Sequence, residues 1–135
     1  MEVFYFKEGY LRTSAETYSL DSISDNFVHL TNNAVQKSGT SYGQYEEGNQ
    51  LSFEEFQTYL DDNNYDISMK KDYLPRIRSL ITLSAKSVGK KLNACRRNYW
   101  FEIFGYDFII DADLQMFLIE VNTNPCLDKS SKLLK

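Results

Sequence analysis

The sequence is poor in the residues that mark many enzyme and targeting classes. It holds one histidine, two cysteines and two prolines in 135 residues. Cys95 and Cys126 lie far apart, with no CxxC spacing and no N-x-[ST] acceptor in the chain. That pattern fits a reducing compartment and two buried thiols, not a disulfide framework. His29 is the only imidazole. It reads as a packed strand residue, and no serine or cysteine has a histidine base beside it to make a nucleophile. No apolar run approaches the ~20 residues a bilayer span needs, and "MEVFYFKEGY" lacks the basic-then-apolar order of a signal peptide. Gly39, Gly43 and Gly48 are not followed by Gly-Lys-[Ser/Thr], which excludes a phosphate loop of that type. The acidic cluster "DDNNYD" lacks the glycine and glutamate of a calcium loop. A soluble cytoplasmic chain is expected.

What is present is a core. With 42% hydrophobic and 15% aromatic residues the chain can build one domain, or part of one. Its net charge of −4 is unevenly spread: between Lys70 and Arg97 nine basic residues face one acid, so that segment carries +8 and the remainder −12. An acidic partner could dock there, or the segment could be a solvated helix face balanced by acidic neighbours. Nucleic acid is disfavoured, because the chain is acidic overall and shows no interleaving of basic and aromatic residues.

"VFYFKEGYLRTS" reads as a hairpin turning at Lys7-Glu8-Gly9, and "FVHLTNNAVQK" as a strand that becomes polar. From Ser38 to Asn49 the glycines and polar residues predict a loop. Ser52-Phe53-Glu54-Glu55 is a capping box, and Phe53, Phe56 and Leu60 recur at helical spacing, predicting a helix from Ser52 to Asp61. A second helix, Asp72 to Leu92, carries Leu74, Ile77, Ile81, Ala85, Val88 and Leu92 on one stripe, with Pro75 tolerated in its first turn. "YWFEIFGYDFII" and "QMFLIEVN", joined by "DADL", predict a long hairpin whose apolar faces are both covered.

Two polar residues interrupt the last strand. Glu120 and Asn122 share a face of it, roughly 7 Å apart, and an even-length turn would bring Asp107 to that face, opposite Leu118 or Glu120. Ile103, Gly105, Ile109 and Leu118 are expected around them, with Gly105 leaving space beside Asp107. Ionised carboxylates on so apolar a face call for a cation, and the hairpin after Arg97 has no lysine or arginine. Two carboxylates and an amide oxygen are hard donors suited to Mg²⁺; an open sheet face on which both acids meet water is the other reading.

"HLTNNAVQK" (His29 to Lys37), "FEIFGYDFIID" (Phe101 to Asp111) and "FLIEVNTNP" (Phe117 to Pro125) together resemble the catalytic region of the tubulin tyrosine ligase family, which has an ATP-grasp fold. "YGQYEEGNQLSFEEFQTYL" (Tyr42 to Leu60) is similar to the tyrosine ligase branch. The resemblance is collinear over nearly the whole chain. It implies an α+β fold, the C-terminal part of an ATP-grasp domain: a largely antiparallel sheet built from the two hairpins and flanked by the helices. The family's upstream lobe, with its adenine pocket and phosphate-binding lysines, would have no counterpart before Met1, so the 135 residues alone are expected to bind ATP poorly.

Position by position, the resemblance makes Asp107, Glu120 and Asn122 the magnesium ligands. Thr31 and Asn32 would contact the nucleotide, Arg12 the phosphates and the incoming amino acid as a catalytic residue, and Lys37 the amino acid. The cofactors implied are ATP and Mg²⁺; the partners are the acidic tubulin tail and a free amino acid, at the cytoskeleton or cilium. ATP would phosphorylate a substrate carboxylate, and the amine of the amino acid would attack the acyl phosphate. The "YEEGN" block favours tyrosine, and Asn33-Ala34 departs from the Tyr-Ser that polyglutamylases carry after "HLTN". A polyglutamylase or glycylase, a catalytically dead module that binds tubulin tails, and a ligase for other carboxylates are the alternatives.

Overall fold

The computed structural model describes residues 2–92, 94, 95 and 98–127. They divide into two units, one of residues 6–66 and one of residues 2–5 with 67–127. Each is mixed helix and strand with a small antiparallel sheet, an α+β arrangement.

In the first unit, β1 (Tyr10–Arg12) pairs with β2 (Gln50–Ser52) in the register Tyr10↔Ser52, Leu11↔Leu51, Arg12↔Gln50. The hairpin expected around Lys7-Glu8-Gly9 does not form: residues 2–9 contain no strand, and β1 finds its partner beyond the glycine loop. Gly9 is needed for a different reason. A Cβ there would lie 2.7 Å from Cζ of Phe53, so only glycine lets the chain pass that ring.

The strand expected at "FVHL" is helix instead. The short helices α1 (Asn26–His29) and α2 (Asn33–Gln36) are each opened by a capping side chain. Asp25 Oδ1 accepts from the Phe27 N–H at 2.9 Å, and Asn32 Oδ1 accepts from the Ala34 N–H at 2.9 Å. These bonds satisfy orphan donors at each start, and they override the strand preference of Phe27 and Val28.

The loop after α2 is irregular, as expected, and ends in a 3₁₀ turn at Glu47–Asn49. Ser52 then caps α3 (Phe53–Asp62) with the reciprocal Ser52–Glu55 box. Leu60 and Phe56 on α3 are buried, as is Ala15, and three polar side chains, Gln36, Asn49 and Gln50, are buried in the same unit.

In the second unit a π-helical turn, Met69–Tyr73, leads into α4 (Leu74–Leu92). Pro75 falls in the first turn of α4, where its missing N–H costs least. The stripe behaves as expected except at its exposed end: Ala85 is buried and Ile77 and Ile81 are half-buried, but Val88 is exposed. Among the described residues no helix is long and apolar enough to cross a membrane.

The C-terminal hairpin is β3 (Gly105–Ile110) and β4 (Met116–Asn122). One face meets α4: the Tyr106 and Ser84 hydroxyls lie 2.8 Å apart, and Met116 is buried. The turn is tied down by the buried Tyr73, whose hydroxyl donates to the Leu114 carbonyl at 3.1 Å. The expectation that both faces are covered fails among the described residues. Ile109 is 54% exposed, Phe117 49% and Ile119 59%. The apolar runs supply two sticky faces, and α4 covers one.

Candidate functional site

The uncovered face of the hairpin carries the polar cluster. Near the turn, Ile110↔Met116, Ile109↔Phe117 and Phe108↔Leu118 pair; beyond it the register slips, to Asp107↔Glu120, Tyr106↔Val121 and Gly105↔Asn122. Ile119 is the unmatched residue, a β-bulge. The connection is an odd one, Ala112–Leu114, closed by the Asp111 N–H to Gln115 carbonyl bond at 3.0 Å, with Leu114 at φ 60°. Such a loop alone would set Asp107 opposite Ile119 and turn Glu120 to the α4 side. The bulge corrects this, placing Asp107 across from Glu120 with Asn122 on the same face.

Side-chain contacts confirm the convergence. Asn122 Nδ2 donates to Glu120 Oε1 at 3.1 Å and lies 3.4 Å from Asp107 Oδ2. One amide thus stands between two acids and supplies the partial positive charge they would otherwise lack. Glu120 and Asn122 are exposed and Asp107 half-buried, so the strong desolvation expected around the pair is absent. Leu118 pairs with Phe108 and does not border the acids. Nor does Gly105 leave open space: a Cβ there would lie 3.1 Å from Cβ of Pro125. Glycine lets Pro125, just after β4, fold back over the strand.

The donor set fits a hard cation. Two carboxylates and an amide, turned to present its oxygen, give three oxygens, and Mg²⁺ is ordinarily held by one or two carboxylates completed by water and phosphate oxygens. Among the described residues no three His, Cys, Asp or Glu side chains cluster, so an all-protein cage of the zinc kind is not on offer.

The remaining expected site residues lie in the 6–66 unit. Arg12 ends β1, exposed, with its guanidinium carbon 5.7 Å from the Tyr10 ring centroid and Nη2 3.5 Å from the Tyr10 hydroxyl. Thr31 is exposed, and the Asn32 side chain caps α2. Lys37 is exposed and closes α2, its N–H donating to the Asn33 carbonyl at 3.0 Å. His29 is in α1, not a strand; its Nε2 lies 3.0 Å from the Ser22 carbonyl and its ring is edge-on to Tyr18.

What ties these elements together was not read from the sequence. Gln36 is fully buried; its Oε1 accepts from the Ala15 N–H at 2.9 Å, while Nε2 donates to the carbonyls of Phe27 at 3.1 Å and Leu30 at 2.6 Å. It joins the chain leaving β1 to α1 and to the segment holding Thr31 and Asn32. Asn49 does similar work for the loop, accepting from the Gly43 N–H at 2.7 Å and donating to the Thr13 carbonyl at 3.3 Å. Neither stands out in the sequence, where Gln36 lies between Val35 and Lys37 and Asn49 between Gly48 and Gln50.

Both cysteines are free and exposed, against the expectation of buried thiols: Cys95 follows α4 and Cys126 follows Pro125, outside any packed element. Lys70, Lys71, Arg76, Arg78, Lys86, Lys90 and Lys91 are exposed on the π-helical turn and α4, while Arg96 and Arg97 fall outside the described residues. Arg78 is engaged, donating to the Tyr5 hydroxyl at 2.6 Å with its guanidinium carbon 5.0 Å from that ring centroid.

An α+β chain with an oxygen-donor cluster on a bulged antiparallel hairpin falls among proteins that can hold a hard cation at a sheet surface. The chain belongs to the tubulin-tyrosine ligase family, which it matches over residues 1–135. It is 35% identical over 139 residues to tubulin glycylase 3D of Tetrahymena thermophila, covering 100% of the chain and 13% of that protein. Tubulin glycylase 3B of the same organism is 31% identical over 131 residues, covering 97% of the chain and 11% of the relative. The probable tubulin polyglutamylase TTLL9 of Mus musculus is 32% identical over 132 residues, covering 98% and 28%. The chain thus spans well under a third of the length of each of these relatives.

Proposed function

We propose that the chain carries the magnesium-holding hairpin and part of the substrate surface of an ATP-grasp ligase that adds an amino acid to a carboxylate of tubulin. The observation that carries the reading is the convergence of Asp107, Glu120 and Asn122 on one face, reached through a bulge. In this reading the two carboxylates and the Asn122 amide oxygen hold Mg²⁺, which when bound neutralises phosphate charge. Thr31 and Asn32 contact the nucleotide; Asn32 does so while its Oδ1 caps α2, leaving its Nδ2 to donate. Arg12, exposed and held loosely by Tyr10, offers N–H donors to the phosphates and to the incoming amino acid, and Lys37 adds a charge for the amino acid's carboxylate. The acceptor carboxylate gains a phosphoryl group from ATP, and the amino group displaces phosphate to form the amide. Positioning and charge neutralisation do this work without a protein nucleophile.

The lysines and arginines of the π-helical turn and α4 suit an acidic acceptor such as a tubulin tail. Kinship with glycylases and a polyglutamylase favours glycine or glutamate as the amino acid added. The tyrosine expectation rests on the stretch from Tyr42 to Leu60 with its Tyr45-Glu46-Glu47-Gly48-Asn49 block, and on Asn33-Ala34 departing from the polyglutamylase pattern. Incubating the protein with tubulin, ATP, Mg²⁺ and labelled glycine, glutamate or tyrosine separates the three by which label enters tubulin. The cation site is tested apart from turnover, by titrating paramagnetic Mn²⁺ and following the hairpin amides by NMR. Broadening centred on residues 105–107 and 120–122, lost in Asp107→Asn, supports the reading; uniform or absent broadening overturns it.

A further inference from the structure

In the β1–β2 pair Arg12 stands directly opposite Gln50. Gln50 is 5% exposed, and its Oε1 is buried with no hydrogen-bond partner among the described residues. Buried amide oxygens are nearly always paired, so an orphan of this kind asks for a donor. Arg12 is the reverse case. It is exposed, a guanidinium carries five N–H donors and no acceptor, and its contact with the Tyr10 hydroxyl, at 3.5 Å, is at the outer limit of a hydrogen bond. Opposed residues of an antiparallel pair hold their Cβ atoms about 4.5–5.5 Å apart, well within the reach of an arginine. An acceptor without a donor and a donor weakly engaged therefore occupy facing positions of one ladder.

We propose that Gln50 is the positioning residue for Arg12: its Oε1 accepts a guanidinium N–H when Arg12 leaves the Tyr10 ring, giving the arginine a second, fixed seat. The two seats differ in consequence. Over Tyr10 the guanidinium is held by a ring face and one long contact, and its direction is loose. Anchored by one N–H to a buried amide on β2, it has four donors left for an oxyanion, and its fork is aimed. The effect on transfer rests on the ligase reading, in which Arg12 meets phosphate and amino acid; the hydrogen bond itself does not.

The test is made on the whole ¹⁵N-labelled chain without ligand. NMR follows the Arg12 side-chain N–H signals and their exchange with water, with those of the exposed Arg76 as reference. A seat on Gln50 slows Arg12 exchange relative to Arg76; Gln50→Leu, or Gln50→Met where leucine prevents folding, returns it to the Arg76 rate, and Gln50→Glu, which keeps an acceptor oxygen, restores protection. A double-mutant cycle of Arg12→Ala with Gln50→Leu or Gln50→Met in urea denaturation then shows coupling of roughly tenfold in the folding equilibrium constant. Arg12 signals that match Arg76 in the unmutated protein, or strictly additive stabilities, overturn the proposal and leave the Gln50 oxygen to a buried water. Failure to incorporate any amino acid into tubulin, with the Arg12 protection intact, counts against the ligase reading and not against this one.

Discussion

Asp107 stands opposite Glu120 in the β3–β4 pair because β4 carries one residue, Ile119, that β3 does not match. A strand alternates its side chains strictly, so the face each acid takes is a matter of counting from the turn. The odd connection through Ala112–Leu114 would separate the acids, and the bulge one position before Glu120 reunites them. The site is thus a product of two irregularities that cancel, neither of which any single side chain reveals.

Deleting Ile119 removes the second irregularity and keeps the first. Glu120 then follows Leu118 directly, and plain alternation still sets it opposite Asp107, with Asn122 opposite Gly105 on the same face. The expected result is a chain with circular dichroism close to that of the parent and Mn²⁺ affinity kept within roughly tenfold, because the three donors stay on one face and only the support around them changes. A loss beyond roughly tenfold would mean that the local twist of the bulge, and not the shared face alone, holds the donors together.

Asn122→Asp tests the amide between the acids. The Asn122 amide donates toward both Glu120 and Asp107; an aspartate puts a third negative charge among them and donates nothing. Like charges on adjacent strand positions cost on the order of 0.2–1 kcal/mol per pair, so stability without metal falls by about 1 kcal/mol at neutral pH. Added Mg²⁺ should raise the melting temperature of the variant more than that of the parent, because a divalent cation now meets three carboxylates. A variant as stable as the parent in both conditions would show that the three side chains do not converge in solution.

Much of this was legible where the physics is local. The Ser52–Glu55 box starts α3 as the spacing indicated, because both partners lie within one turn and no distant residue is consulted. The polar pair Glu120 and Asn122 stood out because alternation fixes their common face. The failures are the non-local ones. Nothing between Val3 and Ser14 says that Tyr10–Arg12 will pair with Gln50–Ser52 and not with the neighbouring apolar run. Gly9 looked like a turn residue because its true neighbour, Phe53, is brought in only by that pairing. The strand read at Phe27 and Val28 fails for a local reason: the Asp25 side chain accepts from the Phe27 N–H and starts α1, and that bond outweighs the strand preference of these residues.

Gln36→Leu should be among the most damaging single changes in the 6–66 unit. The glutamine is fully buried and satisfies one N–H and two carbonyls from three segments. Leucine fills the volume but leaves the Ala15 N–H and the Leu30 carbonyl without this partner, while the Phe27 carbonyl keeps the Ser14 hydroxyl. Each unpaired buried group costs about 1–3 kcal/mol, and relaxation recovers part of it. A loss of roughly 2–4 kcal/mol in urea denaturation is expected. A loss under about 1 kcal/mol would show that water reaches these groups and that Gln36 is not what joins the β1 exit to α1 and α2.

Tyr73 gives the second unit a stability that depends on alkaline pH. Burial, with Asp111 and Asp72 nearby, pushes its phenol above the ordinary tyrosine value of 10.0, because the neutral form is favoured where solvent is scarce and negative charge is close. The folded chain therefore keeps its proton at a pH where the unfolded chain has released it. Stability is fully present below about pH 10 and declines as pH rises through the higher folded value. Tyr73→Phe removes the ionisation and also the bond from the hydroxyl to the Leu114 carbonyl, which sits in a connection whose leucine is held at φ 60°. At pH 7 the variant should lose about 1 kcal/mol. Melting curves taken from pH 8 to 11 should then converge, the parent falling faster than the variant above pH 10 as its advantage disappears. Parallel curves over that range would mean that the Tyr73 hydroxyl is already open to water and does not hold the hairpin turn.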